Sequence, residues 1–198
     1  MERLILARHG ESELSALGLL NGISARAVRL TDEGRRQAEQ LGRELASDPI
    51  DVCVVTRFTR TRETADLALA GRDVPIVVLP ELNEAGFGRY EGLSFDEYRA
   101  WAAVAPPEEV VPGDGGESRA TIVGRHVLGY RLLLERPEPR VLVVGHGLTV
   151  RLLVNAKDGR PPRPLLEPIP CAEPFRLSRA EVERGIERLE EWCAAPSW

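Results

Sequence analysis

The chain has 198 residues, 43% of them hydrophobic, which is enough to bury the core of one ordinary domain. The net charge of −5 argues against a general nucleic-acid-binding protein, because such proteins usually carry a basic excess. No run approaches the roughly 18 apolar residues of a membrane-spanning helix, so we predict no membrane partner. Because the N-terminus lacks a signal-peptide layout and the three cysteines lack metal-ligand spacing, we expect a cytoplasmic protein.

The predicted elements alternate between short β-branched apolar runs and segments with one apolar helical face. In chain order we predict a strand at 4–7, a helix capped by Thr31, a strand at 52–55 and a helix from Phe58 to about Leu69. A strand at 74–79, a helix at 118–134 and a strand at 141–144 follow. One more short strand then precedes a final helix opened by Ser178. This alternation predicts the α/β class, with residues 1–198 forming a single three-layer α/β/α domain around a mostly parallel sheet. Continuous apolar runs further indicate strands covered on both faces.

Three segments interrupt this alternation. Residues 12–30 form a long entry into the first helix, and residues 105–116 form an acidic loop rich in proline and glycine. Such loops are either substrate-contacting elements or tolerated surface insertions. The proline-rich tail at 161–198 has two interpretations as well: it shapes the substrate mouth, or it makes a homodimer contact.

Two of the three histidines follow predicted strands in the same way. His9 comes after the strand at 4–7, His146 comes after the strand at 141–144, and a glycine, Gly10 or Gly147, follows each. Ligands of open α/β sheets bind at the carboxyl ends of the strands, and a glycine there allows the backbone to approach an anion. We therefore predict that His9 and His146 share a site, whereas His126 is interpreted as structural.

Charged partners for these histidines are also present. Arg8 adjoins His9, and Arg60 begins the helix after the second strand. A guanidinium group matches phosphate oxygens bidentately, so these arginines indicate a phosphate site, and their charge should lower the pKa of His9. Glu84, after the third strand, is a candidate proton donor.

Six segments together resemble the motifs of the histidine phosphatase superfamily, also called the phosphoglycerate mutase-like family. They are residues 6–12 (LARHGES), 30–38 (LTDEGRRQA), 56–65 (TRFTRTRETA), 82–92 (LNEAGFGRYEG), 116–125 (GESRATIVGR) and 143–147 (VVGHG). The order and spacing are those of the family, and the match covers residues 3 to about 155. Six motifs in order are far more specific than the first one alone.

The resemblance implies a phosphoglycerate mutase-like fold and a set of residue roles. His9 would be the nucleophile and pass through a phosphohistidine, while Arg8, Arg60 and His146 would hold the transferring phosphoryl group. Glu84 would protonate the leaving alcohol and then help water to attack. No metal and no other cofactor is implied. Gly147 would lie beside the phosphate.

Two positions near the phosphate depart from the family pattern. Ser15 stands where the family usually has asparagine, and Asn21, before Gly22, stands where glutamine is frequent. Both substitutes can still form hydrogen bonds, so Ser15, Asn21 and Gly22 are retained as candidate phosphate-binding residues. The tail at 161–198 matches the family poorly.

The leading hypothesis is a histidine acid phosphatase-type enzyme that hydrolyses a small phosphomonoester. A phosphoglycerate mutase is the nearest alternative, but the stretch that is basic in mutases, here residues 93–116, is acidic and has Arg99 as its one positive residue. A phosphohistidine protein phosphatase and a non-catalytic domain that binds a phosphorylated ligand are further alternatives. Substrate specificity should lie in 12–30, 93–117 and the tail.

Apolar side chains near the mouth of the site would indicate a ligand with an apolar or aromatic portion. The candidates are Leu19, Leu20, Phe87, Tyr90 and Trp101.

Overall fold

Five strands form one sheet in the computed structural model, which describes all residues from 1 to 198. The strands are β1 (Arg3–Arg8), β2 (Val52–Val55), β3 (Ile76–Val78), β4 (Arg140–Gly145) and β5 (Phe175–Ser178). The helices are α1 (Glu13–Ala16), α2 (Asp32–Glu44), α3 (Thr59–Ala68), α4 (Phe95–Ala102), α5 (Arg119–Leu134), α6 (Gly147–Lys157) and α7 (Arg179–Ala194). Two 3₁₀ turns, Pro80–Leu82 and Gly88–Tyr90, lie between β3 and α4.

The sheet has the order β3-β2-β4-β1-β5, and only β5 runs antiparallel to its neighbour. Alternate residues of each strand face opposite layers. Leu4 and Leu6 belong to a core shared with α5, α6 and α7, whereas Ile5 and Ala7 belong to a core shared with α2 and α3. The predicted three-layer α/β/α fold with a mostly parallel sheet is therefore confirmed.

The helix starts follow local capping chemistry. The side chains of Thr31, Ser118 and Ser178 each accept a hydrogen bond from the third residue of α2, α5 and α7, as their sequences predict. Ser178 and Glu181 form a complete capping box. The short strand predicted before the last helix is β5.

The third predicted strand is shorter than expected and is not covered on both faces. Residues 74–79 contribute only the three residues of β3, which lies at the edge of the sheet, and Val78 is 52% exposed. Pro75 has no N–H to extend the ladder, and its carbonyl accepts from the amide of Cys53. No helix of the protein is both long enough and apolar enough to cross a membrane.

A third core lies outside the two main layers. It consists of Leu20, Ala85, Phe87, Tyr90, Tyr98, Ala102, Val111 and Ile122. These residues come from the long entry segment, the turns after β3, α4, the loop at 105–116 and the start of α5. This small core fixes the connecting segments against one another.

Candidate active site

His9 and His146 lie at the ends of adjacent parallel strands, as predicted. Arg8, the last residue of β1, pairs with Gly145, the last residue of β4, and the His9 amide donates to the Gly145 carbonyl at 3.0 Å. The two imidazole centroids are 5.5 Å apart with the rings at 70°. Both side chains are buried, with exposures of 3% and 0%.

The hydrogen bonds of His9 select one tautomer. Its Nδ1 lies 2.7 Å from the Gly10 carbonyl oxygen, which can only accept, so Nδ1 carries the proton. The lone pair of Nε2 therefore faces the site, where it accepts from Nε of Arg60 at 3.0 Å. Burial, and then the charges of Arg60 and Arg8, hold the pKa of His9 well below 6.5. The predicted direction is confirmed, but burial is a larger cause than the arginines.

Arg60 connects the two histidines to the entry segment. It is the second residue of α3, and its guanidinium donates from Nη1 to Asn21 Oδ1 at 2.6 Å and from Nη2 to the Asn21 carbonyl at 3.1 Å. The same Nη2 lies 3.3 Å from Nδ1 of His146. Burial lowers the pKa of Arg60 to about 10, so the guanidinium stays charged at neutral pH.

His146 is held between a hydroxyl and the charged groups of the site. Its Nε2 lies 2.9 Å from Oγ1 of Thr56, and its Nδ1 lies 3.7 Å from Oε2 of Glu84. Burial, followed by the charges of Arg60 and His9, holds the pKa of His146 well below 6.5. The resting ring is neutral, and its Nδ1 edge is the one that faces the other candidate residues.

Glu84 reaches the site from the loop after β3. Its carboxylate is 16% exposed, and its Oε1 accepts from the Ala85 amide at 2.9 Å. Burial raises the pKa of Glu84, while the charge of Arg60 opposes this shift. A carboxyl group with a raised pKa is suited to donate a proton near neutral pH.

Arg125 fixes the loop that carries Glu84. Its guanidinium donates to the carbonyls of Glu81, Asn83 and Glu84 at 3.0, 2.9 and 3.2 Å, and it pairs with Glu117 at 2.8 Å. One α5 side chain therefore holds three carbonyl groups within residues 81–84, which limits the positions that the Glu84 carboxylate can take.

Gly10 is required by close backbone approach. A Cβ at this position would lie 2.4 Å from the carbonyl oxygen of Gly34 in α2. The Gly10 amide donates to Oγ1 of Thr64 at 3.0 Å. The loop after β1 is therefore packed directly on α2 and α3, which keeps the His9 ring in place.

The remaining predicted residues divide between those at the cavity and those away from it. Arg8, Ser15, Asn21 and Gly147 line it. The hydroxyl of Ser15 donates to the Ser12 carbonyl at 3.0 Å and accepts from the Ser12 amide at 2.8 Å. The structure does not bring Gly22 into the lining, and its amide donates to the carboxylate of Glu91 at 2.9 and 3.1 Å.

These groups border a cavity of about 350 Å³. Its apolar lining consists of Leu14, Leu19, Leu20, Ala85, Phe87, Phe95, Tyr98, Leu148, Leu165, Leu166 and Ile169. Of the five predicted apolar candidates, Tyr90 and Trp101 do not line the cavity but pack near Tyr98. The lining draws on residues 12–21, 95–99 and 164–169, one part of each segment expected to set specificity.

The segment 164–169, which we call the strap, forms one wall of this cavity. Three arginines donate to its main-chain carbonyls: Arg8 to Ile169 at 2.8 Å, Arg119 to Pro164 at 3.1 Å, and Arg151 to Glu167 and Pro168 at 3.1 and 2.6 Å. These arginines come from β1, α5 and α6. Part of the proline-rich tail thus lines the cavity, and its role in shaping a substrate mouth stays a prediction.

Sequence reasoning missed several residues of the site. Thr56 and Thr64 lie within the third family motif, residues 56–65, so the motif itself was a signal that their hydroxyls mattered. Arg151 lies outside all six motifs, and the contacts of Arg119 and Arg151 with the strap arise only through folding. No group of three or more His, Cys, Asp or Glu side chains is placed to hold a metal ion.

Known proteins resemble this chain in sequence and in fold. The 2,3-bisphosphoglycerate-dependent phosphoglycerate mutase of Methylobacterium sp. (strain 4-46) is 37% identical over 80% of this chain and 82% of its own. The adenosylcobalamin/alpha-ribazole phosphatase of Salmonella typhimurium is 35% identical over 77% of both chains. The crystal structure of a putative alpha-ribazole-5'-P phosphatase from Escherichia coli superposes with a TM-score of 0.69, at 30% identity over 81% of both chains. Residues 4–195 match the family model of the histidine phosphatase superfamily (branch 1), and the chain belongs to that superfamily.

Proposed function

We propose that this protein is a phosphatase that hydrolyses a small phosphomonoester through a phosphohistidine at His9. The observation that carries the proposal is the unprotonated Nε2 of His9, which faces a cavity lined by Arg8 and Arg60. His146 does not line that cavity, but its Nδ1 lies 3.3 Å from Nη2 of Arg60. A neutral imidazole with an available lone pair can attack phosphorus, and the surrounding cationic groups can stabilise the transferring phosphoryl group.

In the first step, the Nε2 lone pair of His9 forms a bond to phosphorus while the bond from phosphorus to the ester oxygen breaks. Arg60 donates to Nε2 in the resting site, so its hydrogen bond must pass to a phosphate oxygen before attack. Glu84, in the protonated form that burial favours by raising its pKa, gives its proton to the leaving alkoxide.

In the second step, water attacks the phosphohistidine. The Glu84 carboxylate takes a proton from the water as its oxygen bonds to phosphorus, and the bond between nitrogen and phosphorus breaks. Inorganic phosphate leaves, and both His9 and Glu84 return to their starting protonation states. Positioning and charge stabilisation supply most of the catalysis in such a transfer.

Hydrolysis is favoured over mutase chemistry by the acidic character of residues 93–116. Similarity alone does not separate the two activities, since both occur among the relatives. The acid phosphatase of Mycobacterium tuberculosis, 38% identical over 77% of this chain, supports the acid phosphatase-type assignment. Cytoplasmic location and a homodimer contact stay predictions from the sequence.

The test compares wild type with His9→Ala on 4-nitrophenyl phosphate. His126→Gln is the matched control, because it removes a buried imidazole that does not line the cavity. Wild type and the control should release 4-nitrophenol and form an acid-labile, alkali-stable phosphoenzyme, and His9→Ala should do neither. Turnover that survives in His9→Ala would exclude the phosphohistidine route, and no turnover of any phosphoester would favour the non-catalytic binding domain.

A further inference from the structure

The cavity holds positive charge that the protein does not neutralise. Its arginines are Arg8, Arg60, Arg99, Arg119 and Arg151, and its carboxylates are Glu84 and Glu167. None of these five arginines lies within 4.0 Å of a carboxylate oxygen, whereas ten arginines elsewhere in the chain form ion pairs with Asp or Glu. Unpaired guanidinium groups that share one cavity indicate an anionic ligand.

Three of the five have a role in the site described above. Arg60 binds Asn21 and the two histidines, Arg151 binds two strap carbonyls, and Arg8 binds a strap carbonyl beside the proposed nucleophile. A single phosphate at His9 would occupy Arg8 and Arg60. Arg99 and Arg119 are left without a comparable role.

Arg119 lies where a cation is unfavourable in the unliganded protein. It is the first residue of α5, at the positive end of the helix dipole, and the first turn of that helix has no acidic residue. Burial lowers the pKa of Arg119, and its guanidinium has a single protein acceptor, the Pro164 carbonyl. An anion bound here would offset both the dipole and the desolvation of the guanidinium.

Arg99 lies on α4, which packs near the start of α5. Its guanidinium is 5.5 Å from the centroid of the Phe95 ring and makes no ion pair. Tyr98, the preceding residue, also lines the cavity, and the charge of Arg119 opposes the rise that burial causes in the Tyr98 pKa. Arg99 and Arg119 therefore add two cations to a cavity whose lining is otherwise largely apolar.

We propose that Arg99 and Arg119 form a second oxyanion site, so that the substrate is a phosphomonoester with an apolar portion and a further acidic group. The inference rests on the proposed function, because it assigns the first anion to His9, Arg8 and Arg60. The shared chemistry of the second group is an oxyanion, either a carboxylate or a second phosphoryl-type group.

The test uses substrates that differ only far from the reacting phosphate. The acidic probe is 3-(4-phosphonooxyphenyl)propanoate, and its neutral partner is the corresponding propanamide. A third probe, 2-(4-phosphonooxyphenyl)ethylphosphonate, carries a non-hydrolysable second phosphoryl-type group. Because the aryl leaving group is nearly the same in all three, the ratio of kcat/KM between acidic and neutral probes reports the second site.

The variants are Arg99→Gln and Arg119→Gln, with Arg35→Gln, an exposed arginine of α2 outside the cavity, as the control for lost charge. Wild type should prefer an acidic probe, and the ratio should fall about tenfold in Arg119→Gln and about threefold in Arg99→Gln. Arg119→Lys should give an intermediate ratio, because lysine keeps the positive charge but lacks the planar guanidinium group that binds an oxyanion through two N–H donors. Arg119→Gln can also loosen the strap, because Arg119 donates to the Pro164 carbonyl. That effect changes kcat/KM for the acidic and neutral probes alike, so it cancels in their ratio.

A wild-type ratio of one or less for both acidic probes would overturn the second site. The same conclusion would follow if the ratio stayed unchanged in either Arg99→Gln or Arg119→Gln, or if it fell equally in Arg35→Gln. Preference for the propanoate identifies a carboxylate, and preference for the phosphonate identifies a second phosphoryl-type group. Failure of the proposed function gives a different result, since then none of the three probes loses phosphate in wild type.

Discussion

Arg60 donates hydrogen bonds to both oxygens of Asn21, at 2.6 Å to the side-chain oxygen and at 3.1 Å to the backbone carbonyl. Asn21 is buried and lies 39 residues away along the chain. The pair holds the guanidinium in a plane from which Nε reaches His9 and Nη2 reaches His146. Asn21 stands where the family usually has glutamine, and its side-chain amide still positions Arg60.

Asn21→Ala should weaken phosphate binding by releasing Arg60. The loss of one charge-assisted hydrogen bond predicts a rise of about tenfold in KM and in the inhibition constant of inorganic phosphate. Ser15→Ala is the comparison, because that side chain also lines the cavity but its hydroxyl bonds to Ser12 at the start of α1. Equal increases in the two variants would contradict the role given to Asn21.

Thr56→Val should lower kcat through His146. The Thr56 hydroxyl is the partner of His146 Nε2 at 2.9 Å, so its removal leaves that ring nitrogen buried without a partner and weakens the control of the tautomer. We expect kcat to fall about tenfold with little change in KM, and Thr56→Ser to restore it. Nitrogen-15 NMR of the imidazole provides the structural measurement, and an unchanged His146 spectrum in Thr56→Val would exclude this positioning role.

The sheet and the placement of the histidines were predictable because their causes are local. Buried strands show as continuous β-branched runs, and His9 and His146 each follow such a run directly. The edge strand β3 was predicted too long because an apolar run does not reveal which strand lies at an edge. Pro75, within that run, was the available indication.

Three helices, α1, α4 and α6, and part of the site were not predicted. Ser94 and Glu97 form a capping box that opens α4, a signal that was present but not used. The helix α6 is capped by His146, which lacks the usual capping side chain, so no start signal preceded it. Arg119 meets Pro164 across 45 residues, a contact that neither propensity nor spacing encodes.

The pH dependence of kcat/KM should follow the shifted groups. Attack requires neutral His9, whose pKa lies well below 6.5, so activity should persist below pH 6.5 and fall only through that lowered pKa. The acid step requires protonated Glu84, whose pKa is raised above 4.5, so activity should fall as the pH rises through that raised pKa. Steady-state profiles on an alkyl phosphate measure both limits.

Glu84→Gln should abolish the alkaline limit and lower kcat on an alkyl phosphate about a hundredfold or more. The loss should be smaller on 4-nitrophenyl phosphate, whose leaving group needs no proton. Glu167→Gln, a carboxylate of the exposed strap that also lines the cavity, is the control. Equal losses on the two substrates would argue against Glu84 as the general acid.

Arg151→Ala should loosen the strap. Its guanidinium holds the carbonyls of Glu167 and Pro168, so the variant should show faster hydrogen exchange at residues 165–169 and a KM about three to ten times higher for an aryl phosphate. Arg188→Ala provides the control, because Arg188 likewise donates to two main-chain carbonyls, of Ala156 and Lys157, but lies outside the cavity. Faster exchange with unchanged KM would show that the strap does not contact substrate.

His126 should make the fold sensitive to acid. It is fully buried, with Nδ1 2.8 Å from the Ile122 carbonyl and Nε2 3.0 Å from Oγ1 of Thr149, and burial lowers its pKa to about 3. In the unfolded chain the pKa of His126 is near 6.5, so below that pH its imidazole binds a proton that it does not bind in the folded protein. The contribution of neutral His126 to the free energy of unfolding is therefore fully present above pH 6.5. It falls by about 1.4 kcal/mol for each pH unit between 6.5 and about 3.

Urea unfolding at several pH values measures this effect. His126→Gln should be less stable than wild type at pH 7 but should lose less stability as the pH is lowered. Tyr130→Phe is the matched control, because it removes the neighbouring buried hydrogen bond to the Thr149 carbonyl without removing a group that titrates in this range. The control should be destabilised with the wild-type slope, because His9 and His146 still contribute to it. An unchanged slope in His126→Gln would mean that the folded protein can hold the extra proton, which its two hydrogen bonds and full burial oppose.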